Sequence, residues 1–309
     1  MKAMIIRESG EPSVFEAADI PVPRIGPCQV LVRVAATSVN PVDWKIRKFA
    51  PPLGPEMPAV LHGDVAGGVE AVGADVRDFA VGAEVYGCAG GVKGTGGALA
   101  EFMACDADFL APKPSNLSML EAAALPLVCL TAWEGLVDGA NVGPGHTVLV
   151  HGGAGGVGHV ATQIAIARGA QVYATVSGPE KAAAVAEFGA TPINYRENSV
   201  EDYVAAHTDG AGFDIVYDTV GGENIPKCWA AAKLRGTVIS CQTNSTHDLT
   251  PLHLKGLQHI GVLMLIPLLH GVGTAAHGEI MREITALAEA GQIRPLLDGE
   301  PYSLEDVAA

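Results

Sequence analysis

A glycine-rich turn between an apolar run and a helical pattern constrains this sequence more than any other feature. Residues 146–177 read HTVLVHGGAGGVGHVATQIAIARGAQVYATVS, in which a β-branched run precedes the glycines and a second β-rich run ends the segment. Gly153, Gly155 and Gly158 satisfy G-x-G-x-x-G. That spacing is weak alone, but between a strand and a helix it indicates a dinucleotide site. A tight turn that binds nothing is the alternative.

Glycines at such a turn let the backbone approach a pyrophosphate closely. The amides at the N-terminus of the following helix then meet the negative charge. The predicted phosphate cradle comprises six consecutive residues: Gly153, Ala154, Gly155, Gly156, Val157 and Gly158.

Strands and helices alternate from residue 146 onward. The predicted strands are 147–151, 171–176, 191–195, 213–218, 236–241 and about 260–266. The predicted helices are near 156–168, 180–188, 199–207, 222–233 and 278–291. Alternation at this spacing predicts an α/β architecture, with a doubly wound parallel sheet covered by helices on both faces.

The first 115 or so residues have a different pattern. Short β-rich runs such as KAMIIR, QVLVRVAATSV and GALAEFMAC are broken by Gly and Pro, which predicts a compact β-barrel or sandwich. Ser118 and Glu121 then form a capping box before an apolar helix that Pro126 must bend or split. A second start signal, Ser303 with Asp306, predicts a helix that opens near residue 303.

Charge and cysteine usage exclude several classes of partner. The formal net charge is −15 and no long Lys/Arg run occurs, which argues against a nucleic acid or an anionic membrane as partner. The six cysteines are scattered without a C-x-x-C pair, which favours reduced thiols in a cytoplasmic protein. The first residues lack the apolar core of a signal peptide. Residues 256–278 carry no Asp, Glu, Lys or Arg, but their continuous apolar part, 262–269, is too short to span a membrane.

Four segments carry a resemblance to a known family. They are VEAVGADVRDFAVGAEVYG at 69–87, SVNPVDWKIR at 38–47, GGVG at 155–158 and INYRE at 193–197. The chain resembles the zinc-independent quinone oxidoreductase branch, which includes zeta-crystallin, of the medium-chain dehydrogenase/reductase superfamily.

The resemblance implies a domain organisation. We expect a GroES-like β-barrel catalytic domain over 1–118, a Rossmann nucleotide-binding domain over 119–266, and a segment returning to the catalytic domain over 267–309. The family's active site lies in the cleft between its two domains. A final helix and strand expected in the returning segment are absent from the sequence.

The resemblance also permits a test for zinc by residue type. The alcohol-dehydrogenase branch holds its catalytic zinc with a Cys, the His of a Gly-His-Glu run and a third thiolate. The matching positions here are Asn40, Gly63 and Leu127, none of which offers the nitrogen or sulfur ligands that zinc prefers. His247, His253 and His259 are spaced by six residues, which does not place them on one helix face, and we expect them to be solvated. The prediction is that the protein has no metal site.

The end of the second Rossmann strand bears on the choice of nicotinamide. An NAD-selective site usually carries an acidic residue there, whereas residues 173–177 read YATVS. A carboxylate would repel a 2′-phosphate, while Ser177 can donate to one and Lys181 lies one turn into the next helix. With Tyr195 these residues resemble the family's NADPH-binding set, so we predict NADPH. The alternative is that Ser177 and Glu180 form a capping box and that Lys181 is solvated.

Further cofactor contacts follow from strand ends, because ligands bind at the carboxyl edge of a parallel sheet. Thr131 matches a family position near the nicotinamide ribose. The other candidates are Asp218, Thr219, Val220, Cys241 and Gln242. Asp218 as a turn former and Thr131 as a hydroxyl bonding its own helix are the alternatives.

The resemblance places Asn40, Asp43 and Lys45 on a loop that replaces the zinc-ligand loop and faces the nicotinamide. Asn40 is a candidate to orient hydroxyls of substrate or cofactor, and Lys45 to stabilise an enolate or supply a proton. Asp43 would position either neighbour. The alternative is that Asn40 and Asp43 only shape a turn and that Lys45 is exposed. Trp44 is a candidate apolar wall for a flat substrate.

Three functions remain open at this stage. The first is an NADPH-dependent oxidoreductase that passes hydride to a quinone or an α,β-unsaturated carbonyl without a metal. The second is an enoyl-thioester reductase, and the third is a crystallin-like protein that binds NADPH without turnover. We also expect a homodimer through the last Rossmann strand, at residues 261–265, because an uncovered apolar edge strand invites aggregation.

Overall fold

A computed structural model describes residues 1–49, 52–297 and 299–308. The chain forms two compact units. The β unit comprises Met1–Leu127, Leu265–Gly291 and Leu297–Ala309, and the α/β unit comprises Val128–Met264 and Gln292–Leu296. The predicted boundaries at residues 118 and 266 stay predictions.

The elements are numbered in chain order. The strands are β1 Lys2–Ile6, β2 Glu16–Asp19, β3 Gln29–Ala36, β4 Ala59–Val60, β5 Asp64–Val72, β6 Glu84–Cys88, β7 Phe102–Asp106, β8 Leu110–Pro112, β9 Thr147–His151, β10 Gln171–Val176, β11 Thr191–Asn194, β12 Phe213–Asp218, β13 Ala232–Ser240 and β14 Gln258–Gly261. The α-helices are α1 Pro41–Phe49, α2 Met119–Ala123, α3 Pro126–Trp133, α4 Gly156–Ala167, α5 Pro179–Glu187, α6 Val200–Thr208, α7 Ile225–Ala231, α8 Thr250–Lys255, α9 Ile266–His270 and α10 Thr274–Glu289. Within the described residues, no helix is both long enough and apolar enough to cross a membrane.

The β unit contains two antiparallel sheets, in the orders β2-β1-β4 and β7-β3-β5-β6-β8. Strand β3 places Val30 and Val32 in the core with no exposed surface, as alternation along a half-buried strand requires. Helix α10 belongs to this unit, where the Tyr86 hydroxyl donates to the carbonyl of Met281 at 3.0 Å. The β-rich first part of the chain is therefore confirmed.

Residues 41–49 correct one expectation, because the segment expected to be a loop is helix α1. Pro41 occupies the first helical position, where its fixed φ suits a helix and its missing N–H is not needed. The Asp43 carboxylate accepts a hydrogen bond from the backbone N–H of Asn40 at 2.7 Å. Arg47 and Lys48 in the last turn complement the helix dipole. The helix holds Asn40 and Asp43 in fixed relation.

The apolar helix after Ser118 is split as predicted. Helix α2 has the complete Ser118–Glu121 capping box and ends at Ala123. Helix α3 begins at Pro126, and a π-helical turn over Glu134–Gly139 follows it. Proline cannot donate to the preceding turn, so one helix becomes two.

The α/β unit contains a parallel sheet in the order β11-β10-β9-β12-β13-β14. The order runs outward from β9 on one side and from β12 on the other, so the direction of winding reverses between these two strands. Ligands of doubly wound sheets bind at such a switch point, outside the carboxyl ends of the strands. The predicted Rossmann-type fold class is confirmed.

Several predicted element ends were wrong. The last strand is β14, Gln258–Gly261, and not 260–266: the chain leaves the sheet after Gly261, and Met264 and Leu265 are buried outside it. The helix predicted at 222–233 is a 3-10 turn followed by α7, which ends at Ala231 because β13 begins at the next residue. The helix predicted from 278 starts at Thr274, and the start signal at Ser303 opens only a 3-10 turn, Leu304–Asp306.

Candidate cofactor cradle and active-site cluster

The glycine turn joins β9 to α4 and is tied to the neighbouring strand. Gly152 has a φ of +72°, a region that favours glycine. Its N–H donates to the Thr175 hydroxyl at 3.0 Å, and the N–H of Gly153 donates to the Thr175 carbonyl at 3.0 Å. The turn is therefore held rigidly against the end of β10.

The motif glycines differ in what requires them. A Cβ at Gly158 would lie 2.0 Å from the Gly152 carbonyl oxygen, and one at Gly153 would lie 2.4 Å from the Ala174 Cβ. These two glycines are required by the protein's own packing. Gly155 and Gly156 are exposed, and a Cβ would lie 3.2 Å from the Gly152 oxygen or 3.6 Å from Val128 Cγ1 respectively. Packing alone does not demand glycine at these two positions.

Gly155 is the N-cap of α4 and offers no side chain to cap the helix. The first amides of the helix lie at an exposed glycine surface, with Ala154 and Val157 half-buried on either side. Bare amides at a helix N-terminus are suited to an anionic ligand. The predicted cradle therefore has the chemistry of a pyrophosphate site.

The ends of β10 and β11 bring two predicted residues side by side. Val176 pairs with Asn194, and the N–H of Tyr195 donates to the Val176 carbonyl at 3.2 Å. Ser177 and Tyr195 therefore leave adjacent strands together, and Tyr195 is 52% exposed. Lys181 is exposed in the first turn of α5. No acidic residue occurs between 173 and 177, so the corner can accept a phosphate.

The alternative for Ser177, a capping box with Glu180, is wrong. The N-cap of α5 is Gly178, Pro179 takes the first helical position, and no side chain caps the helix. Because proline already lacks an N–H, a hydroxyl cap has one less donor to satisfy. The Ser177 hydroxyl takes no part in capping this helix.

The strand-end residues build the carboxyl edge of the sheet. Asp218 is fully buried, and its carboxylate accepts from the Val220 N–H, the Asn224 side chain and the Ser240 hydroxyl at 3.0, 2.9 and 2.9 Å. These are the contacts of a turn former. The Thr219 hydroxyl donates to the His151 carbonyl at 2.7 Å.

The other candidate residues near this edge differ in exposure and in hydrogen-bond partners. Val220 is 55% exposed. The Cys241 N–H donates to the Asp218 carbonyl at 3.2 Å, and the Gln242 side chain donates to Asn244 at 2.9 Å. Thr131 is buried in α3, and its carbonyl accepts from the Tyr217 hydroxyl at 2.7 Å. Their contacts with a cofactor stay predictions.

The sequence reasoning did not select His151 as a candidate site residue. It ends β9 directly before the glycine turn, is buried, and has Nδ1 3.4 Å from the Thr175 hydroxyl. Burial lowers the pKa of His151 to about 4, so it is neutral at physiological pH. Its position in the sequence, immediately before the glycines, is the signal that could have identified it.

The β unit carries a group of neighbouring polar residues, here called the polar cluster: Ser38, Asn40, Asp43, His62, Asp64 and Cys88. Asp64 is its centre, because its Oδ2 accepts from the Ser38 hydroxyl at 2.6 Å and from the Asn40 Nδ2 at 2.8 Å. Asn40, Asp43, Asp64 and His62 are all buried. The structure thus joins the predicted Asn40 and Asp43 to four residues that the sequence reasoning had not selected as candidates: Ser38, His62, Asp64 and Cys88.

Two buried carboxyl groups shape the electrostatics of the polar cluster. Burial raises the pKa of Asp43 to about 8, helped by Asp64 and opposed by the N–H groups of Asn40 and Gly63. Burial also raises the pKa of Asp64 to about 6, opposed by the donors around it. Burial lowers the pKa of His62 to about 4. Near neutral pH the pair therefore holds about one proton, and the histidine is neutral.

The positions that match zinc ligands of the related branch are bonded to these carboxylates. The Asn40 amide donates to Asp64, and the Leu127 N–H donates to Asp64 Oδ1 at 2.9 Å. The Gly63 N–H bonds Asp43. Across the described residues, no three His, Cys, Asp or Glu side chains are grouped to hold a metal ion.

Lys45 and Trp44 lie on α1 nearer the surface. Trp44 is 42% exposed, and the Lys45 ammonium lies 5.8 Å from the centre of its ring. Trp44 also meets the exposed Phe49 edge-on at 6.1 Å. These apolar faces are available to a flat ligand.

Two of the histidines expected to be solvated are only partly exposed. His259 is half-buried and accepts from the Trp229 indole N–H at 3.0 Å. His247 packs edge-on against the same indole at 5.8 Å. The buried Trp229 needs a partner for its N–H, which explains why His259 lies there.

Comparisons with known proteins agree with this geometry. Residues 26–115 match the alcohol dehydrogenase GroES-like domain, and residues 156–266 match the family described as zinc-binding dehydrogenase. An NADPH-dependent alkenal/one oxidoreductase of Arabidopsis thaliana is 32% identical over all of this chain and 75% of its own length. A human quinone oxidoreductase is 32% identical over all of this chain and 92% of its own.

A solved structure extends the similarity to the whole fold. An alcohol dehydrogenase superfamily protein from Novosphingobium aromaticivorans superposes with a TM-score of 0.96 at 46% identity, over 99% of this chain and 92% of that one. Sequence and fold therefore agree over nearly the full length. The chain belongs to the medium-chain dehydrogenase/reductase superfamily, in the branch of the quinone oxidoreductases.

Proposed function

We propose that this protein is an NADPH-dependent oxidoreductase that reduces quinones or α,β-unsaturated carbonyl compounds. The observation that carries the proposal is the acid-free corner of Ser177 and Tyr195 beside an uncapped glycine turn. When bound, NADPH supplies a hydride to the electron-poor carbon of the acceptor. The named activities of the Arabidopsis and human relatives support the same two classes of acceptor.

The residues that would hold the cofactor form three groups. Amides at the start of α4, within the predicted cradle of residues 153–158, would bind the pyrophosphate. Ser177, Lys181 and Tyr195 bind the 2′-phosphate, which an acidic residue would repel. The third group lines the remainder of the nucleotide: Thr131, Asp218, Thr219, Val220, Cys241 and Gln242.

The chemistry at the acceptor needs an orienting group and a donor. Asn40 would orient hydroxyl groups of the substrate or cofactor. Asp43 would fix the start of α1 by accepting from the Asn40 N–H. Lys45 would donate a hydrogen bond to the acceptor oxygen that becomes negative. Reduction of a quinone takes one hydride and one proton, and that proton comes from Lys45 or from water. Zinc has no role in this proposal, because Asn40, Gly63 and Leu127 lack the nitrogen and sulfur ligands that zinc prefers and are bonded to Asp64 and Asp43.

A homodimer and a cytoplasmic location complete the proposal. Strand β14 is the edge of its sheet, and Leu263 just beyond it is 45% exposed, which supports pairing with a second copy. None of the six cysteines, all of which lie within the described residues, forms a disulfide, which supports a reducing compartment. Light scattering that shows a monomer would refute the dimer.

The proposed domains are the same as those expected from the resemblance. Residues 1–118 would carry the catalytic groups, 119–266 the nucleotide site, and 267–309 would return to the catalytic domain. The α/β unit and the β unit, with their slightly different bounds, support this division.

Oxidation of NADPH in the presence of 1,4-benzoquinone, 9,10-phenanthrenequinone, acrolein and crotonyl-CoA tests the proposal. We expect turnover with a quinone or with acrolein. Turnover with crotonyl-CoA alone would instead identify an enoyl-thioester reductase. Tight NADPH binding without oxidation by any acceptor would identify a binding protein.

A further inference from the structure

A row of four buried polar side chains crosses the carboxyl ends of four neighbouring strands in the α/β unit. This strand-end row comprises Thr175, His151, Asp218 and Ser240. His151 pairs with Asp218, which pairs with Ser240. On the other side, the Thr175 hydroxyl lies 3.4 Å from His151 Nδ1. None of the four residues is more than 5% exposed, so their hydrogen bonds must be made within the protein.

The Asp218 end of the strand-end row is satisfied without His151. The Asp218 carboxylate accepts from the Ser240 hydroxyl and the Asn224 side chain, both at 2.9 Å, and from two backbone N–H groups of the turn that follows β12. Among the described residues, the hydrogen bond of the His151 ring is made to Thr175 and not to Asp218.

The Thr175 hydroxyl determines which ring nitrogen of His151 carries the hydrogen. Its oxygen accepts from the Gly152 N–H at 3.0 Å. Its own hydrogen needs an acceptor, and within the described part of the chain that acceptor is His151 Nδ1. Burial lowers the pKa of His151 to about 4, so the ring is neutral at physiological pH. Nδ1 is therefore bare, and the ring hydrogen is on Nε2.

This tautomer has a cost in stability. Nε2 carries a hydrogen but meets no acceptor among the described residues. A buried donor without a partner destabilises a fold. An apolar side chain would avoid that loss, as at Val148, Leu149 and Val150 in the same strand. The histidine is therefore explained by the bond that Nδ1 makes and not by packing.

Through Thr175, that bond reaches the glycine turn. The hydroxyl and the carbonyl of Thr175 accept from the N–H groups of Gly152 and Gly153, each at 3.0 Å. Without Nδ1 as acceptor, the hydroxyl would be an unsatisfied buried donor, and the side chain would be free to rotate away from Gly152. The first amide of the turn would then lose its partner.

We propose that His151 is a positioning residue for the nucleotide site, because its bare Nδ1 holds the Thr175 hydroxyl in the orientation that fixes Gly152 and the glycine turn. This rests on the proposed function, in which the turn binds the pyrophosphate. His151 itself does not touch the nucleotide. Since NADPH and NADH share the pyrophosphate, His151 supports the binding of both equally, unlike Lys181.

Fluorescence titration with NADPH and with NADH, without any acceptor, tests the proposal. His151→Leu should weaken the binding of both nucleotides about fivefold, because one acceptor is lost. His151→Asn places its Oδ1 at the position of Nδ1 and should stay within about twofold of wild type. Equal losses in the two variants, an unchanged affinity in His151→Leu, or a loss confined to NADPH would overturn the role of His151.

Thr175→Val completes a double-mutant cycle. Alone it should weaken the binding of both nucleotides about fivefold, since it removes the hydroxyl that joins His151 to Gly152. Combined with His151→Leu, it should bind no more than about twofold weaker than the weaker single variant. Losses that multiply to about 25-fold would contradict the proposal.

Thr162→Val is the matched control. Thr162 is a fully buried threonine of α4 whose hydroxyl has no hydrogen-bond partner among the described residues. The same change of residue type should therefore leave nucleotide affinity within about twofold. A fivefold loss would show that any change in the core of the α/β unit weakens binding, and the proposal would fail.

Nitrogen NMR of protein labelled at its histidines observes the tautomer directly, without nucleotide and without relying on the folding of a variant. The His151 signals should show a hydrogen on Nε2 and a bare Nδ1. A hydrogen on Nδ1 in the folded wild type would overturn the proposal.

The proposed function and the role of His151 fail in different ways. A wild-type protein that binds NADPH but reduces no acceptor refutes the proposed function, while the affinities and the tautomer still decide for or against His151. Normal turnover with an unchanged affinity in His151→Leu refutes the role of His151 alone. A wild type that binds neither nucleotide contradicts both.

Discussion

The glycine turn of the α/β unit and the polar cluster of the β unit present opposite kinds of chemistry. The turn offers backbone donors at an exposed helix N-terminus, with no side chain over them. The polar cluster is buried and is built from carboxylates that draw side-chain and backbone donors inward. An anionic ligand suits the first, and a precisely oriented polar contact suits the second.

The difference shows how each region tolerates change. At the turn, function depends on space, because a ligand must approach the backbone closely. In the polar cluster, the hydrogen bonds depend on orientation, because Ser38 and Asn40 both donate to the buried Asp64. Some substitutions fill ligand space without disturbing the packing of the protein, and others remove a charge without changing the shape of the side chain. Such substitutions therefore test the comparison directly.

The largest effect is expected from Gly158→Ala. Its Cβ would lie 2.0 Å from the Gly152 carbonyl oxygen, so α4 and the turn must move apart. We expect a loss of about 2 kcal/mol in the free energy of unfolding, measured by denaturant titration. Wild-type stability in this variant would show that the turn is not packed as described.

Gly155→Ala should produce a smaller and different effect. Its Cβ would lie 3.2 Å from the same oxygen, so the loss of stability should stay below about 0.5 kcal/mol. NADPH should bind about tenfold more weakly, because the methyl group occupies the space into which the pyrophosphate fits. Equal effects of Gly155→Ala and Gly158→Ala on both stability and affinity would contradict the distinction between ligand space and packing.

Lys181→Ala should weaken the binding of NADPH about fivefold and leave the binding of NADH unchanged, because the ammonium group interacts only with the 2′-phosphate. Michaelis constants for the two nucleotides measure this. Glu180→Ala, at the exposed neighbouring position, is the control and should change neither constant. An equal loss with both nucleotides would exclude the role of Lys181.

Asp43→Asn tests the electrostatics of the polar cluster. The pKa of Asp43 is raised by burial from its ordinary value of 3.8 to about 8, so the folded protein holds a proton that the unfolded chain releases. Stability therefore falls as pH rises between these two values, and the neutral amide escapes that loss. The melting temperature of the variant relative to wild type should rise by about 3 °C between pH 5 and pH 9.

Asp209→Asn is the control for that measurement, since Asp209 is exposed at the end of α6. Its melting temperature relative to wild type should not change with pH. A parallel trend in both variants would mean that the effect belongs to net charge and not to the polar cluster.

Much of the α/β unit could be predicted because its signals are local. The glycine spacing, the apolar runs and the missing acid before Ser177 lie within 32 consecutive residues, 146–177, and β9 and β10 begin and end where predicted. Strand ends were less certain where sheet pairing decided them. Strand β14 is short because the chain leaves the sheet after Gly261. The pattern of apolar residues does not indicate that change of direction.

The sequence by itself determined the fold class, the place of the nucleotide turn and the absence of an acid at its phosphate corner, since backbone conformation and residue type act over a few positions. Only the tertiary structure decided the polar cluster. Asp64 meets Asn40 and Ser38 across 24 and 26 positions, and helix α1 replaces the expected loop between them. Burial then sets the charge of both carboxyl groups, and burial is a property of the packed chain and not of any segment.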